Sequence, residues 1–336
     1  MTEIMEHPFA KSVSATEKCR RLREVVHPED RLAILIDADP DAMSSAMALK
    51  RIFWRKVQHA EIFRINEIQR ADNLAFIRLL KIEQKHVNQF RPEQFDKLAL
   101  VDSQPLHHEE FTGLQFDIVI DHHPVDAFPK ASFVDIREGY GANATIMTEY
   151  LKAAKIKPSP RLSTALFYGI KTDTDNFVRK SLPNDINAFQ YLYRFANLNI
   201  IKKIESSEIS RKTLDHFRTA IDGATFIGDR ACVHMGVVNN PDILVLIADF
   251  FMKLAETTWS IVSGEYEDKL VVILRNAGFR GNAGKVAQKL FGVLGGAAGG
   301  HPGAARAEIP LKELRGSSRK QVNIGELVIK QIRKWC

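Results

Sequence analysis

The chain has 336 residues, with 47 Lys plus Arg against 41 Asp plus Glu for a formal charge of +6, and a single core usually stops growing near roughly 250 to 300 residues, so two domains are expected. With 45% hydrophobic and 26% charged residues the composition is that of a globular protein, which excludes bulk disorder and fibrous repeats. Apolar stretches such as residues 243–252 fall short of the roughly 18 residues of a membrane span, the first residues lack the layout of a secretory signal, and three scattered cysteines (Cys19, Cys232, Cys336) suit no disulfide framework, so a reducing, cytoplasmic setting without membrane contact is expected.

In chain order, a helix within the first thirty residues precedes a strand at 31–37, the run Leu-Ala-Ile-Leu-Ile ending in polar residues. A helical pattern follows at 41–56, then strand-like 60–66, helix-like 71–80, and strand-like 97–102, 116–121 and 132–135. Strands alternating with helices predict an α/β fold with a parallel sheet and helices on both faces. The strands end at Asp37, Asn66, Asp102 and Asp121, and in open parallel sheets the ligand crevice lies beyond the strands' carboxyl ends. These side chains should therefore converge on one edge. Helical spacing then recurs at 142–154, 161–171, 185–197 and 207–222. Short strands return at 224–227, 231–235, 258–263 and 269–275, with 264–268 read as a hairpin turn. The expected division is a first domain over 1–205, a linker helix region over 206–222, and a smaller α/β domain over 223–336. Five of the six net positive charges fall in the last 26 residues, which reads as a solvated final helix or as a seat for a polyanion.

Asp37-Ala38-Asp39-Pro40-Asp41 sets three carboxylates at alternate positions between a strand and a helix. Asp41 could cap that helix, but three acids overload a cap. If Asp102, Asp121 and Asp173 join them, each pair about 4 Å apart repels by roughly 4 kcal/mol at an effective dielectric near 20. Protons or cations must offset that repulsion. Carboxylates mixed with imidazole suit Mn²⁺, Mg²⁺ or Fe²⁺, and the scarcity of cysteine argues against structural zinc. Asp121-His122-His123-Pro124 ends another apolar strand; one imidazole can bind a metal while its neighbour contacts a phosphate and Asp121 orients a histidine. Asp173 follows a helical stretch in Gly169-Ile170-Lys171-Thr172-Asp173-Thr174. Gly295 to His301 packs four glycines and two alanines, which reads as a tight turn or as a nest of N–H groups for an anion. Trp259 and Phe279 read as core more readily than as stacking platforms for a base, and Arg280 and Lys285 stand near the run.

The order Asp-x-Asp-Pro-Asp, Val101-Asp102-Ser103, Asp121-His122-His123 and Gly-Ile-x-Thr-Asp173-Thr resembles the four motifs of the DHH phosphoesterase superfamily. Gly295-Gly296-Ala297-Ala298-Gly299-Gly300-His301-Pro302, preceded by Ile273-Leu274-Arg275-Asn276, is similar to the signature of the DHH-associated domain. The resemblance implies a two-metal, usually manganese, site that hydrolyses phosphoesters in a cleft between the domains. Asp37 and Asp41 would hold the first metal, Asp102 would bridge, and His122 and Asp173 would hold the second. His123 would contact phosphate or assist the leaving group, with Asp121 behind it. Arg275, Gly299, Gly300 and His301 would hold the substrate's remote end. Small oligonucleotide phosphatases of the superfamily commonly carry His and a further Asp where this chain has Asp37 and Met43. RecJ-type nucleases read Asp-x-Asp-x-Asp-Gly, which Asp37, Asp39 and Asp41 fit better, with Ala42 in place of Gly; Asp39 would then supply the ligand that Met43 cannot. The expected activity is hydrolysis of short single-stranded oligonucleotides, cyclic or linear dinucleotides, or 3′-phosphoadenosine 5′-phosphate. RecJ-like single-strand exonuclease activity and a non-catalytic nucleotide-binding role are the alternatives. Exposed strand edges in the second domain are compatible with a homodimer.

Overall fold

The computed structural model describes residues 14–125, 127–179, 181–206, 211–277, 281–315 and 323–335, in two compact units, Met1–Glu208 and Ile209–Cys336. Phe279, Arg280 and the start of the helix expected at 207–222 lie outside the described residues.

In the first unit α1 (Ala15–Glu24) leads into β1 (Arg31–Ile36), α2 (Pro40–Ile52), β2 (His59–Arg64), α3 (Ala71–Leu80), β3 (Lys85–His86), β4 (Lys97–Val101), β5 (Ile118–Asp121) and β6 (Phe133–Ile136). Four helices close the unit: α4 (Asn143–Ala153), α5 (Pro160–Asp173), α6 (Pro183–Tyr193) and α7 (Leu198–Glu205). The strands form one sheet in the order β3-β2-β1-β4-β5-β6, and every pairing is parallel. Alternation along β1 divides the core. Leu32, Ile34 and Ile36 face the α-helices, and Ala33 and Leu35 face the other side. Burial on both faces explains why this strand is an unbroken apolar run. On the Ala33 side the helical cover consists of short 3-10 turns, among them Val87–Gln89 and Glu109–Phe111, around Phe90, Phe111 and Phe116. The helix expected over 185–197 is α6, which ends four residues early at Tyr193; Asn197 caps the next helix, α7, with its side chain.

The second unit runs α8 (Leu214–Asp222), β7 (Thr225–Ile227), β8 (Arg230–Val237), α9 (Asp242–Phe251), β9 (Trp259–Tyr266), β10 (Lys269–Asn276), α10 (Ala283–Phe291), β11 (Ala297–Gly300), β12 (Ala304–Pro310), α11 (Leu311–Arg315) and α12 (Ile324–Arg333). Its sheet is mixed, in the order β11-β12-β10-β9-β8-β7, with β8 and β9 parallel. The hairpin turn is Glu267-Asp268 alone, since Tyr266 pairs with Lys269. Gly264, expected in that turn, lies inside β9, where a Cβ would stand 3.0 Å from Leu244 of α9. No helix among the described residues is long and apolar enough to cross a membrane.

Candidate metal centre

Four chain segments bring acids to the carboxyl edge of the parallel sheet. After β1 the chain enters α2 through Asp39, whose Oδ1 accepts from Ala42 N at 2.8 Å, with Pro40 in the first turn. Asp39 is thus the helix cap, and Asp41 is free for another task. Asp41 is fully buried and its two oxygens accept from Asn143 N (2.6 Å) and Ala144 N (2.7 Å) at the start of α4. A helix N-terminus is a natural seat for a carboxylate. Asn66 does not join the acids; its amide clamps the loop by accepting from Ala38 N (2.8 Å) and donating to Ala38 O (3.0 Å).

Asp102 follows β4 with φ +62 and donates its N–H to Ile120 O of β5 at 2.9 Å. Asp tolerates this left-handed backbone better than most residues, and the turn aims its carboxylate across the sheet edge. His122 leaves β5 and receives the acids: its Nε2 is 3.1 Å from Asp173 Oδ2, 3.3 Å from Asp102 Oδ1 and 3.9 Å from Asp41 Oδ2. Asp173 comes from the last position of α5. Gly169, one turn earlier, lets α5 approach α2 closely, since a Cβ there would lie 3.1 Å from Asp41 Cα and 2.6 Å from Ser44 Oγ. The Gly-x-x-x-Asp spacing therefore serves helix packing and the placement of Asp173 beside His122 together.

The donor set fits a divalent cation. His122 Nδ1 lies 3.0 Å from Tyr140 O, and a proton donated there leaves the Nε2 lone pair directed at the acids. Both Nε2 and Asp102 Oδ1 are buried and make no hydrogen bond, an arrangement that costs free energy unless an ion or proton occupies the gap. Asp41, His122 and Asp173 offer ligand atoms within 4.8 Å of one another, as do Asp102, His122 and His123. Burial and the Asp173 charge push the Asp41 carboxyl up to about 8. Burial and then the Asp41 charge raise Asp102 well above the usual range. Burial opposes an imidazolium at His122, but Asp102 and Asp173 outweigh it and raise its affinity for a proton. Such a group of acids exchanges protons for a cation readily.

The other expected residues divide. Asp121 is buried and belongs to neither cluster itself but lies directly behind His123; Oδ1 accepts from His123 Nδ1 at 2.8 Å and Oδ2 from Gln104 Nε2 at 2.8 Å. That fixes the His123 tautomer, leaving Nε2 for a ligand, and the hydrogen bond to Asp121 raises the pKa of the His123 ring. Asp37 stands apart with His108, Nε2 to Oδ2 3.4 Å. Met43 is wholly buried in the core, so its position belongs to packing and not to the ligand set. In the second unit Arg275 donates to Asp249 Oδ1 at 2.7 Å. Only the start of the glycine run is a turn, with Gly295 left-handed at φ +83, and Ala297–Gly300 then pair with β12 as an edge strand and not as a nest. Gly296 and Gly300 are required where a Cβ would collide with Glu308 and Ala304 backbone oxygens. His301 is exposed and its carbonyl accepts from Gly284 N at the start of α10 (3.2 Å). Trp259 is 6% exposed and packs edge-on to Trp335 at 4.6 Å, a core role.

Sequence reasoning missed His107 and His108, adjacent in the loop after β4; the His107 ring lies 5.8 Å from His123. It also missed Tyr140, whose carbonyl holds His122 and whose hydroxyl contacts Arg137, Glu149 and Asn184. A backbone carbonyl leaves no mark in residue identity; the doubled histidine was a usable signal.

Residues 31–170 match the DHH family, N-terminal domain. This chain carries a DHH-family domain over that span. An uncharacterized protein of Methanocaldococcus jannaschii is 32% identical over 326 residues, covering 96% of this chain and 66% of that protein, so the chain spans just under two thirds of this curated relative. In structure it is similar to an exopolyphosphatase-related protein of Bacteroides fragilis (TM-score 0.69, 14% identity, 97% of each chain). It is also similar to RecJ of Thermus thermophilus in complex with Mn²⁺ (TM-score 0.53, 12% identity, 96% of this chain and 54% of that one). At such identities the likeness is one of fold, and the acidic cluster lies at the sheet edge of the DHH domain.

Proposed function

We propose that the DHH domain is the catalytic centre of a divalent-metal-dependent phosphoesterase acting on short oligonucleotides, dinucleotides or 3′-phosphoadenosine 5′-phosphate. The observation that carries this reading is the His122 Nε2 atom, buried, without a hydrogen bond, and within 3.9 Å of carboxylates from three separate segments. Asp41, Asp102, His122 and Asp173 are the proposed ligands, with Asp37 and Asp39 at the outer side of the same loop. Manganese is the proposed ion, by analogy with the RecJ neighbour; Mg²⁺ and Fe²⁺ suit the same donors. An ion bound there supplies Lewis acidity to a phosphoryl group and acidifies the attacking water. His123, oriented by Asp121, presents Nε2 to donate a hydrogen bond to a phosphate oxygen or a proton to the leaving oxygen. Asp121 and Gln104 hold that ring in place, and His107 walls it on one side. Arg275, Gly299, Gly300 and His301 remain the proposed contacts to the distal end of the substrate.

The test is Mn²⁺-dependent release of mononucleotides from RNA of two to five residues, compared with long single strands. Asp102→Asn should abolish turnover, and unchanged turnover in that variant overturns the assignment. Preference for long strands would favour exonuclease action instead.

A further inference from the structure

Away from the acids, the first unit contains a cavity of about 440 Å³ between the second half of α2, β2, the turn after α3 and the first turn of α5. Met47, Ile62, Ile82 and Leu162 form an apolar floor. Lys50, Arg51 and Arg161 stand on the rim, with Glu83 as the opposing charge. Trp54 closes one side and is 56% exposed, with the Arg51 and Arg55 guanidinium carbons 4.8 and 4.3 Å from its ring centroid.

Several exposed basic side chains of the unit meet acids, among them Arg70 with Asp72, Lys85 with Glu61 and Arg20 with Glu17. Among the described residues no carboxylate pairs with Lys50, Arg51, Arg55 or Arg161. Like charges gathered beside an apolar floor repel, and an anion relieves the repulsion.

We propose that this cavity binds a mononucleotide, at a site distinct from the metal centre. Each part of the lining suits one part of such a ligand. Guanidinium groups grip a phosphate through paired N–H donors. The floor and the Trp54 edge, with its stacked arginines, accept a planar base. Glu83 accepts from sugar hydroxyls or a base amino group. The volume falls in the range of small-molecule pockets, roughly 300 to 1,000 Å³, and so suits one nucleotide and not a polymer. Trp54 lies thirteen residues after Asp41, roughly 20 Å away at the helical rise, so binding here requires no metal.

The test is calorimetric titration of the full chain with adenosine 5′-monophosphate in the presence of a chelator. Saturable binding is expected, at least tenfold weaker in Arg51→Glu/Arg161→Glu and unchanged within twofold in Asp102→Asn. Adenosine alone and inorganic phosphate alone should each bind at least tenfold more weakly than the nucleotide. Equal binding of phosphate alone reduces the site to an anion seat and overturns the proposal. Unaltered affinity in the double variant, loss in Asp102→Asn, or no binding at all does the same. Photolabelling of the unmutated protein with 8-azidoadenosine 5′-monophosphate adds a readout independent of variant folding: the label must fall on the Trp54 or Arg161 peptide. Because Asp102→Asn separates hydrolysis from this binding, failure of either reading leaves the other standing.

Discussion

Gly169→Ala isolates the packing on which the acidic cluster depends. The added Cβ would lie 2.6 Å from Ser44 Oγ, 3.1 Å from Asp41 Cα and 3.2 Å from Pro40 O. Ser44 can swing away by giving up its hydrogen bond to Asp41 O at 3.1 Å, but the other two contacts are backbone. Ordinary contact begins near 3.4 Å, so α2 and α5 must part by about 0.3 Å. Overpacking of this kind costs about 1 to 3 kcal/mol, against about 1 kcal/mol gained in helix propensity. The net stability change is thus a loss of about 1 kcal/mol, small beside the effect on the site. The residue pushed is Asp41 and the helix displaced carries Asp173 one turn on, so both distances to His122 change. We expect Mn²⁺ affinity to fall about tenfold, read by calorimetric titration beside denaturant unfolding of the same preparation. Adding Ser44→Ala removes the nearest contact and should restore part of the affinity. A Gly169→Ala protein that binds Mn²⁺ normally and gains about 1 kcal/mol of stability would refute the reasoning, since propensity alone would then be acting.

Mn²⁺ at one hundred times its dissociation constant should stabilise the protein by about 2.7 kcal/mol, seen as a raised melting temperature that chelation reverses and His122→Ala abolishes. Asp121→Asn frees the His123 ring and should lower turnover about tenfold to a hundredfold while Mn²⁺ affinity stays within threefold; equal losses in both would move Asp121 into the ligand set. Asp135 is wholly buried beside Lys18, Arg137 and the Tyr150 hydroxyl. Burial alone would raise its pKa, but the Arg137 and Lys18 charges outweigh that and hold it below the usual carboxylate range. A depressed carboxyl contributes stability that is present above its unfolded pKa, near 3.9, and lost as pH falls through the folded value. Denaturant melts should therefore lose stability below about pH 4, and Asp135→Asn should flatten that acid limb. Arg137→Met leaves the buried carboxylate half-paired and should cost about 3 kcal/mol in the same melts.

Much of this was legible along the chain because strands buried on both faces announce themselves as apolar runs and strand ends carry the acids. Local order explains why Asp37, Asp102, Asp121, His122 and Asp173 could be singled out with no view of their neighbours. Their division of labour could not be read that way. Asp39 and Asp41 are two residues apart and chemically identical, yet one caps its own helix while the other is seated on the N-terminus of α4, about one hundred residues later. Met43 is drawn to the core by the period of α2, so its absence from the ligand group is a matter of helix phase. Glycines likewise carry no label for their use: Gly169 and Gly300 admit close backbone approach, Gly264 lies under a helix, and none of this is visible in composition. Residue type sets which chemistry a side chain can perform, and burial with long-range backbone contacts sets which of several equivalent carboxylates performs it.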